Sequence, residues 1–374
     1  MLDVTKQPAI AAPRSRAWDT LRLVMSSGGP GRCEFALNNA CNANCGFCNF
    51  ARDKLPKERW EYVERQGAFD AIDILFRQGI RYLILTGGEP TLHPDLIDII
   101  AHATTKGMKV MMVSNAGLLK PRRIADYAEA GLSSFVISID AADAEAHEAN
   151  RGLPGVCDKI REANAEIENL GMIATASVTL SRLLDLDKLP AFLKDLGFTS
   201  VTFSYPLTNL NSSFLGFRDS SLVNFTADEL IALFDKVKAF KASSGLHVVN
   251  PTRSLEEMQR FVRSEEQKFP CLGGYRYFYL DWKLQLWRCH FWDKPLCSIY
   301  EFDDSKIVRD GCTRCMIDCY RDASTMQHIA VSVHDAATSL KSGDIWGAAK
   351  ALGRQGNGGS IHAVVEELPW LMKF

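Results

Sequence analysis

Short apolar runs alternate with longer amphipathic segments over roughly the first two hundred residues. The runs end in small or polar residues, which is typical of strands that are buried on both faces. The segments between them repeat apolar residues at spacings of three and four, which predicts helices. The predicted strands are 32–38, 81–86, 108–114, 134–139, 172–180 and 200–203, and the predicted helices between them are about 57–78, 94–106, 121–130, 156–170 and 187–196.

This alternation predicts an α/β fold with a parallel sheet covered by helices. Six strands are too few for a closed eight-stranded barrel, and in open folds of this kind the carboxyl ends of the strands carry the chemistry. Residues 1–31 are expected to be irregular, and residues 206–225 to form a polar loop before a helix that begins at Thr226 and ends near Ser243. We divide the chain into an extension (1–31), a core (32–250), a cysteine-rich domain (251–322) and a tail (323–374) with helices at 332–340 and 345–352.

Composition is that of a globular protein, with 47% hydrophobic and 24% charged residues among 374. A net charge of −2 offers no basic field for nucleic acid. Residues 1–18 lack the apolar core of a signal peptide, and no run reaches the roughly 20 apolar residues that cross a bilayer. We therefore expect a cytoplasmic enzyme without a membrane span, and an apolar chain end (367–374) that packs against the protein.

Eleven cysteines are many for such a protein, and most of them lie in two groups. The first group is Cys41-Asn-Ala-Asn-Cys45-Gly-Phe-Cys48. Three thiolates at this spacing form a tripod for a soft metal, either an iron–sulfur cluster or zinc. A tripod on a four-iron cluster leaves one iron open for a substrate or cofactor atom.

The cysteine tripod is followed about forty residues later by Gly87-Gly88-Glu89-Pro90, and together they resemble the radical S-adenosylmethionine (radical SAM) superfamily. The resemblance implies a partial (β/α)6 TIM-like barrel in which Cys41, Cys45 and Cys48 hold a [4Fe–4S] cluster. It also implies that S-adenosylmethionine binds the open iron and is cleaved reductively to a 5′-deoxyadenosyl radical, which takes a hydrogen atom from the substrate.

The same resemblance implies roles for residues at the predicted strand ends. Glycines let the backbone approach a ligand closely, and an arginine can hold a carboxylate with two hydrogen bonds. A structural Asx-turn is the alternative for Asn115, and a surface ion pair is the alternative for Arg151. The predicted cofactor-binding residues are Phe47, Gly87, Gly88, Glu89, Pro90, Asn115, Ser138, Asp140 and Arg151, with Ser177 and Arg182 as weaker candidates.

The late cysteines form the second group. Residues 271–289 alternate apolar and polar residues about Asp281-Trp282-Lys283, which predicts a hairpin with a cysteine at each end. With Cys312-Thr-Arg-Cys315-Met-Ile-Asp-Cys319 this segment resembles the SPASM/Twitch extension of radical SAM enzymes and implies an auxiliary [4Fe–4S] cluster. The implied ligands are Cys271, Cys289, Cys312 and Cys315, with Cys319 as a possible replacement for one of the last two, and a zinc site at Cys312, Cys315 and Cys319 is the alternative.

Three functions are compatible with these features. The first is oxidative modification of a small-molecule biosynthetic intermediate, with an electron donor such as flavodoxin or ferredoxin. The second is peptide maturation, made less expected because only forty residues precede Cys41, where peptide-modifying relatives often carry a recognition domain. The third is a non-catalytic iron–sulfur or zinc scaffold, which would not need an open iron. No side chain is assigned as a proton donor or acceptor, and His290, next to Cys289, is interpreted as a packed histidine.

Overall fold

The structure is a computed structural model that describes residues 13–205 and 221–371. Ten strands form one sheet in the order β10-β9-β8-β1-β2-β3-β4-β5-β6-β7. The strands are β1 (Gly31–Ala36), β2 (Ile80–Thr86), β3 (Lys109–Ser114), β4 (Ser134–Ile139), β5 (Ile173–Thr179), β6 (Ser200–Ser204), β7 (His247–Val248), β8 (Tyr277–Leu280), β9 (Gln285–Trp287) and β10 (Cys297–Ser298).

Helices follow most of the strands and also make up the end of the chain. They are α1 (Pro13–Ser27), α2 (Arg65–Arg77), α3 (Leu96–Thr105), α4 (Pro121–Glu129), α5 (Ala144–Arg151), α6 (Val156–Asn169), α7 (Leu189–Asp195), α8 (Ala227–Ser243), α9 (Thr252–Val262), α10 (Asp318–Lys341), α11 (Ile345–Leu352) and α12 (Asn357–Leu371). The six predicted strands are β1 to β6, all parallel to their neighbours, so the predicted α/β fold is confirmed.

The parallel register places like-facing residues side by side across the sheet. Phe35, Leu85 and Ile137 on one face are fully buried and share a core with Ile72 and Ile99 of the helices. The opposite face carries more polar and hydroxyl side chains, and we call it the site face. Its members include Arg32, Glu34, Ile84, Met111, Ser138, Ser177 and Ser204.

Three sequence predictions of local structure are wrong. The helix predicted from residue 57 begins only at Arg65, because residues 60–63 run extended beside the chain after β1, where Val63 N donates to Leu37 O at 2.9 Å. Within residues 1–31, which were expected to be irregular, Pro13–Ser27 is α1, and the helix expected at 332 begins at Asp318. Most of the predicted loop at 206–225 lies outside the described residues.

The predicted hairpin about Asp281 is confirmed. Strands β8 and β9 pair antiparallel, with Tyr279 opposite Trp287. The Asp281 carboxylate builds the turn, because Oδ1 accepts from the backbone N–H of Lys283 and of Gln285, each at 2.9 Å. Strand β8 also pairs parallel with β1, so the cysteine-rich hairpin extends the core sheet at the edge next to the Cys41–Cys48 loop.

The chain end packs as three helices. Helix α10 contacts α11 and α12 and also lies against α1. Trp370 in the last turn of α12 is buried and stacks on His247 at 4.8 Å between ring centroids. None of the helices among the described residues is long and apolar enough to cross a membrane.

Candidate metal centre and cofactor site

The Cys41–Cys48 loop begins at the carboxyl end of β1 and turns back on itself. Cys48 N donates to Cys45 O at 3.1 Å, which closes the second half of the loop, and Asn44 N donates to Arg151 O at 2.7 Å, which ties its middle to α5. Cys41 and Cys45 are buried and Cys48 is half-buried. The three predicted ligands therefore lie on one short loop at the end of the sheet where the chemistry was expected.

The environment of these thiols suits a soft metal. Burial raises the pKa of Cys41 to about 12 and also raises the pKa values of Cys45 and Cys48. The thiols without metal are therefore neutral at pH 7, and metal binding would release their protons. The Cys41 Sγ accepts from Ala43 N at 3.4 Å and from Asn115 Nδ2 at 3.8 Å. Such N–H donors stabilise thiolate ligands of iron–sulfur clusters, so the residues present fit that group.

The Gly87-Gly88 pair is required by close packing against the chain that enters the cysteine loop. A Cβ at Gly87, whose φ is +138°, would lie 2.4 Å from Asn38 O, and one at Gly88 would lie 2.1 Å from Ala40 O. Gly88 N donates to Asn38 O, and Glu89 N donates to Ala40 O at 2.7 Å. The glycines thus attach the end of β2 to the residues just before Cys41.

The Glu89 carboxylate is 1% exposed and surrounded by protein donors. Its Oε1 accepts from the backbone N–H and the hydroxyl of Thr91 and from Ser114 Oγ, and its Oε2 accepts from Asn115 N at 2.8 Å. Burial raises the pKa of Glu89 in spite of these donors. In this structure Glu89 joins the end of β2 to the end of β3, and Pro90 starts the short 3-10 turn that follows it.

Asn115 performs two tasks at the end of β3. Its Oδ1 accepts from Gly117 N at 2.8 Å, which is the Asx-turn that was the structural alternative. Its Nδ2 donates to Asn42 Oδ1 at 2.8 Å and faces Cys41 Sγ. The turn therefore directs the amide toward the cysteine loop.

Asp140 and Arg151 form a buried ion pair beside the same loop. Arg151 Nη2 donates to Asp140 Oδ1 at 2.7 Å, and both side chains are almost fully buried. Burial opposes the charge of Arg151, but Asp140 and the neighbouring thiols outweigh it, and the pKa of Arg151 is raised. Asn150 connects the pair to the loop, since it donates to Asp140 Oδ2 at 2.8 Å and accepts from Gly46 N. Arg151 is therefore a buried residue of the candidate site.

One donor of this group has no partner among the described residues. Arg151 Nε is buried without a hydrogen bond. An unpaired buried guanidinium N–H costs free energy unless a ligand accepts from it, and a carboxylate is its natural acceptor.

Ser138 lies on the site face beside Ser177, and Phe47 is buried in the main core. Arg182, by contrast, lies half-exposed in an ion pair with Glu229.

Lys54 is a site residue that the sequence analysis did not find. Its Nζ donates to the carbonyl oxygens of Cys45, Gly46 and Cys48 at 3.0 to 3.1 Å. An ammonium group thus caps the carbonyls of the cysteine loop. No spacing rule could have selected it, because Arg52 and Lys57 are basic residues at similar distances along the chain.

Replacement of Lys54 by methionine is expected to lower the reduction potential of the cluster in this loop. Removing a nearby positive charge disfavours the reduced, more negative cluster, by on the order of 50 mV. A redox titration followed by electron paramagnetic resonance measures the shift. Lys57→Met is the matched control, because Lys57 is exposed and lies over the Trp60 ring. Equal potentials in the two variants would contradict the role of Lys54.

Four of the late cysteines are neighbours. Cys271 N donates to Cys312 O at 2.7 Å, and Cys289 and Cys315 are buried in one apolar cluster against which Cys271 packs. Burial, with a smaller contribution from adjacent thiols, raises the pKa of Cys289 to about 12 and the pKa of Cys315 to about 11. The hairpin and the loop before α10 therefore bring Cys271, Cys289 and Cys315 to one apolar cluster, with Cys312 next to Cys271 through its backbone, and Cys319 packs against the same cluster.

Cys319, the fifth predicted ligand, has different partners. It lies in the first turn of α10, and its thiol faces Glu34 of β1 and His290. Cys297 pairs with Leu286 in the sheet and belongs to the main core.

Three comparisons with known proteins agree with this geometry. Residues 36–180 match the model of the radical SAM superfamily. The AdoMet-dependent heme synthase of Methanosarcina barkeri is 28% identical over 178 residues, which are 47% of this chain and 50% of that protein. Streptococcus suis SuiB bound to its precursor peptide SuiA superposes with a TM-score of 0.57 at 12% identity, over 88% of this chain and 80% of that one. The structure of anSMEcpe with bound AdoMet superposes with a TM-score of 0.55 at 13% identity, over 92% and 98%.

The similarity in sequence is concentrated in the core. The chain spans about half the length of the heme synthase, and the two solved structures show a shared fold. The matched residues include Cys41, Cys45, Cys48, the Gly87–Pro90 turn and Arg151. Residues 36–180 therefore form a radical SAM domain, the domain of an enzyme superfamily whose cofactors are a [4Fe–4S] cluster and S-adenosylmethionine.

Proposed function

We propose that this protein cleaves S-adenosylmethionine reductively and uses the resulting 5′-deoxyadenosyl radical to oxidise a substrate. The observation that carries the proposal is the arrangement around Cys41, Cys45 and Cys48, which a buried carboxylate, a buried ion pair and an ammonium cap hold at the end of β1. When bound, the cluster supplies the electron that breaks the sulfonium bond. A non-catalytic scaffold would not explain the unpaired Arg151 Nε beside that loop.

In this proposal each residue group has a separate task. Cys41, Cys45 and Cys48 hold the cluster, and Asn115 donates toward the Cys41 sulfur. Arg151 donates a hydrogen bond from its unpaired Nε to the carboxylate of S-adenosylmethionine, and Asp140 keeps the guanidinium oriented. Gly87, Gly88 and Glu89 hold the β2 and β3 ends in place through backbone contacts. Ser138 lies on the site face, where hydroxyls of adjacent strands could face the cofactor.

We further propose that Cys271, Cys289, Cys312 and Cys315 hold one auxiliary [4Fe–4S] cluster. The support is their shared neighbourhood, their burial and the soft chemistry of four thiols. Because β8 is hydrogen-bonded to β1, residues 251–322 would place this cluster beside the site face. Its chemistry there would be to accept the electron that the substrate radical loses after hydrogen-atom abstraction, and a flavodoxin or ferredoxin would supply the electron for cleavage of S-adenosylmethionine.

Two substrate classes compete. A peptide side chain is favoured by the similarity to SuiB with its precursor peptide, because that likeness extends over the cysteine-rich region as well as the core. A small-molecule intermediate is favoured by the heme synthase, whose similarity covers about half of this chain. We infer the peptide class, since the likeness to SuiB extends beyond the radical SAM domain, whereas the heme synthase similarity is limited to about half of this chain.

Anaerobic reconstitution with iron and sulfide tests the proposal. The holoenzyme should bind about eight irons and release 5′-deoxyadenosine from S-adenosylmethionine when it is reduced with dithionite. Candidate peptides and small molecules labelled with deuterium then report the substrate class, because the label moves into 5′-deoxyadenosine. Failure of cleavage with both clusters loaded would overturn the proposal, whereas four irons with intact cleavage would remove only the auxiliary cluster.

A further inference from the structure

Two buried side chains and one half-buried side chain that can bind a metal meet outside both sets of proposed cluster cysteines. Glu34 comes from the site face of β1, His290 follows the β8–β9 hairpin, and Cys319 lies in the first turn of α10. One ligand atom from each lies within 4.8 Å of the other two. Segments far apart in sequence therefore bring an oxygen, a nitrogen and a sulfur donor to one point.

The Nε2 atom of His290 is the nitrogen that faces this point. His290 is 5% exposed, and its Nε2 has no hydrogen bond among the described residues, although it lies 3.4 Å from Glu34 Oε2. The ring is held between Tyr279 and Tyr320, with centroid distances of 4.7 and 5.4 Å and nearly perpendicular planes. A rigidly oriented nitrogen without a partner is costly to bury, so a ligand at this point would relieve the cost.

Glu34 directs one oxygen toward the same point, and the Cys319 thiol is hydrogen-bonded to this carboxylate. Its Oε1 lies 3.3 Å from Arg32 Nη2, and Arg32 itself lies over the Tyr277 ring. The other oxygen, Oε2, is the one that faces His290. The arginine at Oε1 orients the carboxylate and leaves Oε2 directed toward His290. Metal ligands are commonly oriented by hydrogen-bonding partners of this kind.

We propose that Glu34, His290 and Cys319 bind a zinc ion, separate from the two iron–sulfur clusters. Thiolate, imidazole and carboxylate are the three ligand types that zinc takes in proteins, and tetrahedral zinc needs donors about 3 to 4 Å apart. Three protein ligands leave a fourth tetrahedral position for a water or a substrate heteroatom. The ion would lie on the site face at β1, with the auxiliary cysteine Cys289 next to one ligand and the Cys41 loop at the end of the same strand.

Zinc binding would also give Cys319 a role distinct from that of the four proposed auxiliary-cluster ligands. In the proposed auxiliary site, Cys271, Cys289, Cys312 and Cys315 already supply the four thiolates that a [4Fe–4S] cluster takes. Cys319 lies four residues after Cys315, in the first turn of α10, with Glu34, Asp318 and Arg32 as its charged neighbours. Zinc binding would remove the thiol proton, which burial otherwise retains.

Zinc content and zinc-edge X-ray absorption of the anaerobic holoenzyme test the proposal. The expected result is about one zinc per chain, bound by one sulfur near 2.3 Å and by nitrogen or oxygen ligands near 2.0 to 2.1 Å. X-ray absorption at this edge is specific for zinc, so the irons of the two clusters do not interfere. Because this measurement uses the protein without substitutions, its result does not depend on whether any variant folds.

Two variants complete the test. In Cys319→Ser and Glu34→Gln zinc should fall to the level of the buffer blank while iron stays constant, and in the control Cys297→Ser, another buried free thiol, zinc should be retained. Absence of zinc from the unaltered holoenzyme, zinc with four sulfur ligands or zinc retained in Cys319→Ser would each overturn the assignment. Cleavage of S-adenosylmethionine is measured in parallel, so a failure of the proposed function is recognised separately.

Discussion

Exchange of Cys45 for serine is expected to abolish cleavage of S-adenosylmethionine. Two thiolates cannot hold a cubane cluster by three irons, and a serine hydroxyl is a hard ligand with little affinity for this group. The iron content should fall from about eight to about four per chain, because the auxiliary set is separate. Iron and sulfide analysis together with chromatographic detection of 5′-deoxyadenosine measures both effects.

Cys157→Ser is the matched control for this experiment. Cys157 is as buried as Cys45, but it lies in α6, where its backbone N–H donates to Glu148. The control should keep all of its iron and its cleavage activity. Unchanged cleavage in Cys45→Ser, or equal loss in both variants, would show that the Cys41–Cys48 loop does not hold the catalytic cluster.

Replacement of Arg151 by methionine is expected to destabilise the protein by about 3 to 5 kcal/mol. Methionine removes one partner of a buried ion pair and leaves the Asp140 carboxylate without its charge partner in the interior. The loss should lower the Tm of the anaerobic holoenzyme by roughly 5 to 10 °C. Binding of S-adenosylmethionine should weaken as well, because the free Nε donor beside the loop is lost.

Arg182→Met is the control for the ion pair. Arg182 and Glu229 pair at 2.9 Å, but both side chains are more than two-fifths exposed, and exposed pairs contribute at most about 1 kcal/mol. Differential scanning calorimetry and equilibrium binding of S-adenosylmethionine distinguish the variants. Similar Tm values for Arg151→Met and Arg182→Met would contradict a structural role of the buried pair.

The core of the fold was predictable from local sequence, because each of its signals is short-range. A short apolar run such as 134–139, in which β-branched residues recur and polar residues follow, favours a buried strand whichever strand it pairs with. The cysteine tripod is equally local, because its three ligands lie within eight residues. The error at residues 57–64 has a long-range cause: the segment pairs with the chain after β1 and gives up its helical turns.

Roles within the site depended on the tertiary structure. Glu89 was expected to face the cofactor. Its carboxylate is surrounded by Thr91, Ser114 and Asn115, which the sequence motif alone cannot show. Lys54 is one of several basic residues until the fold brings its ammonium group to three carbonyls of the loop. These contacts follow from where strands and loops meet.

The sequence by itself determined the α/β class, the family of the core and the choice of Cys41, Cys45 and Cys48 as candidate metal ligands, because these depend on periodicity and on spacing within one loop. Only the tertiary structure placed Cys319 beside Glu34 and His290. Cys319 is four residues from Cys315 along the chain, but the start of α10 turns its thiol toward Glu34 of β1 and toward His290. The physical reason is the pairing of β8 with β1, which brings the hairpin and its following residues onto the site face.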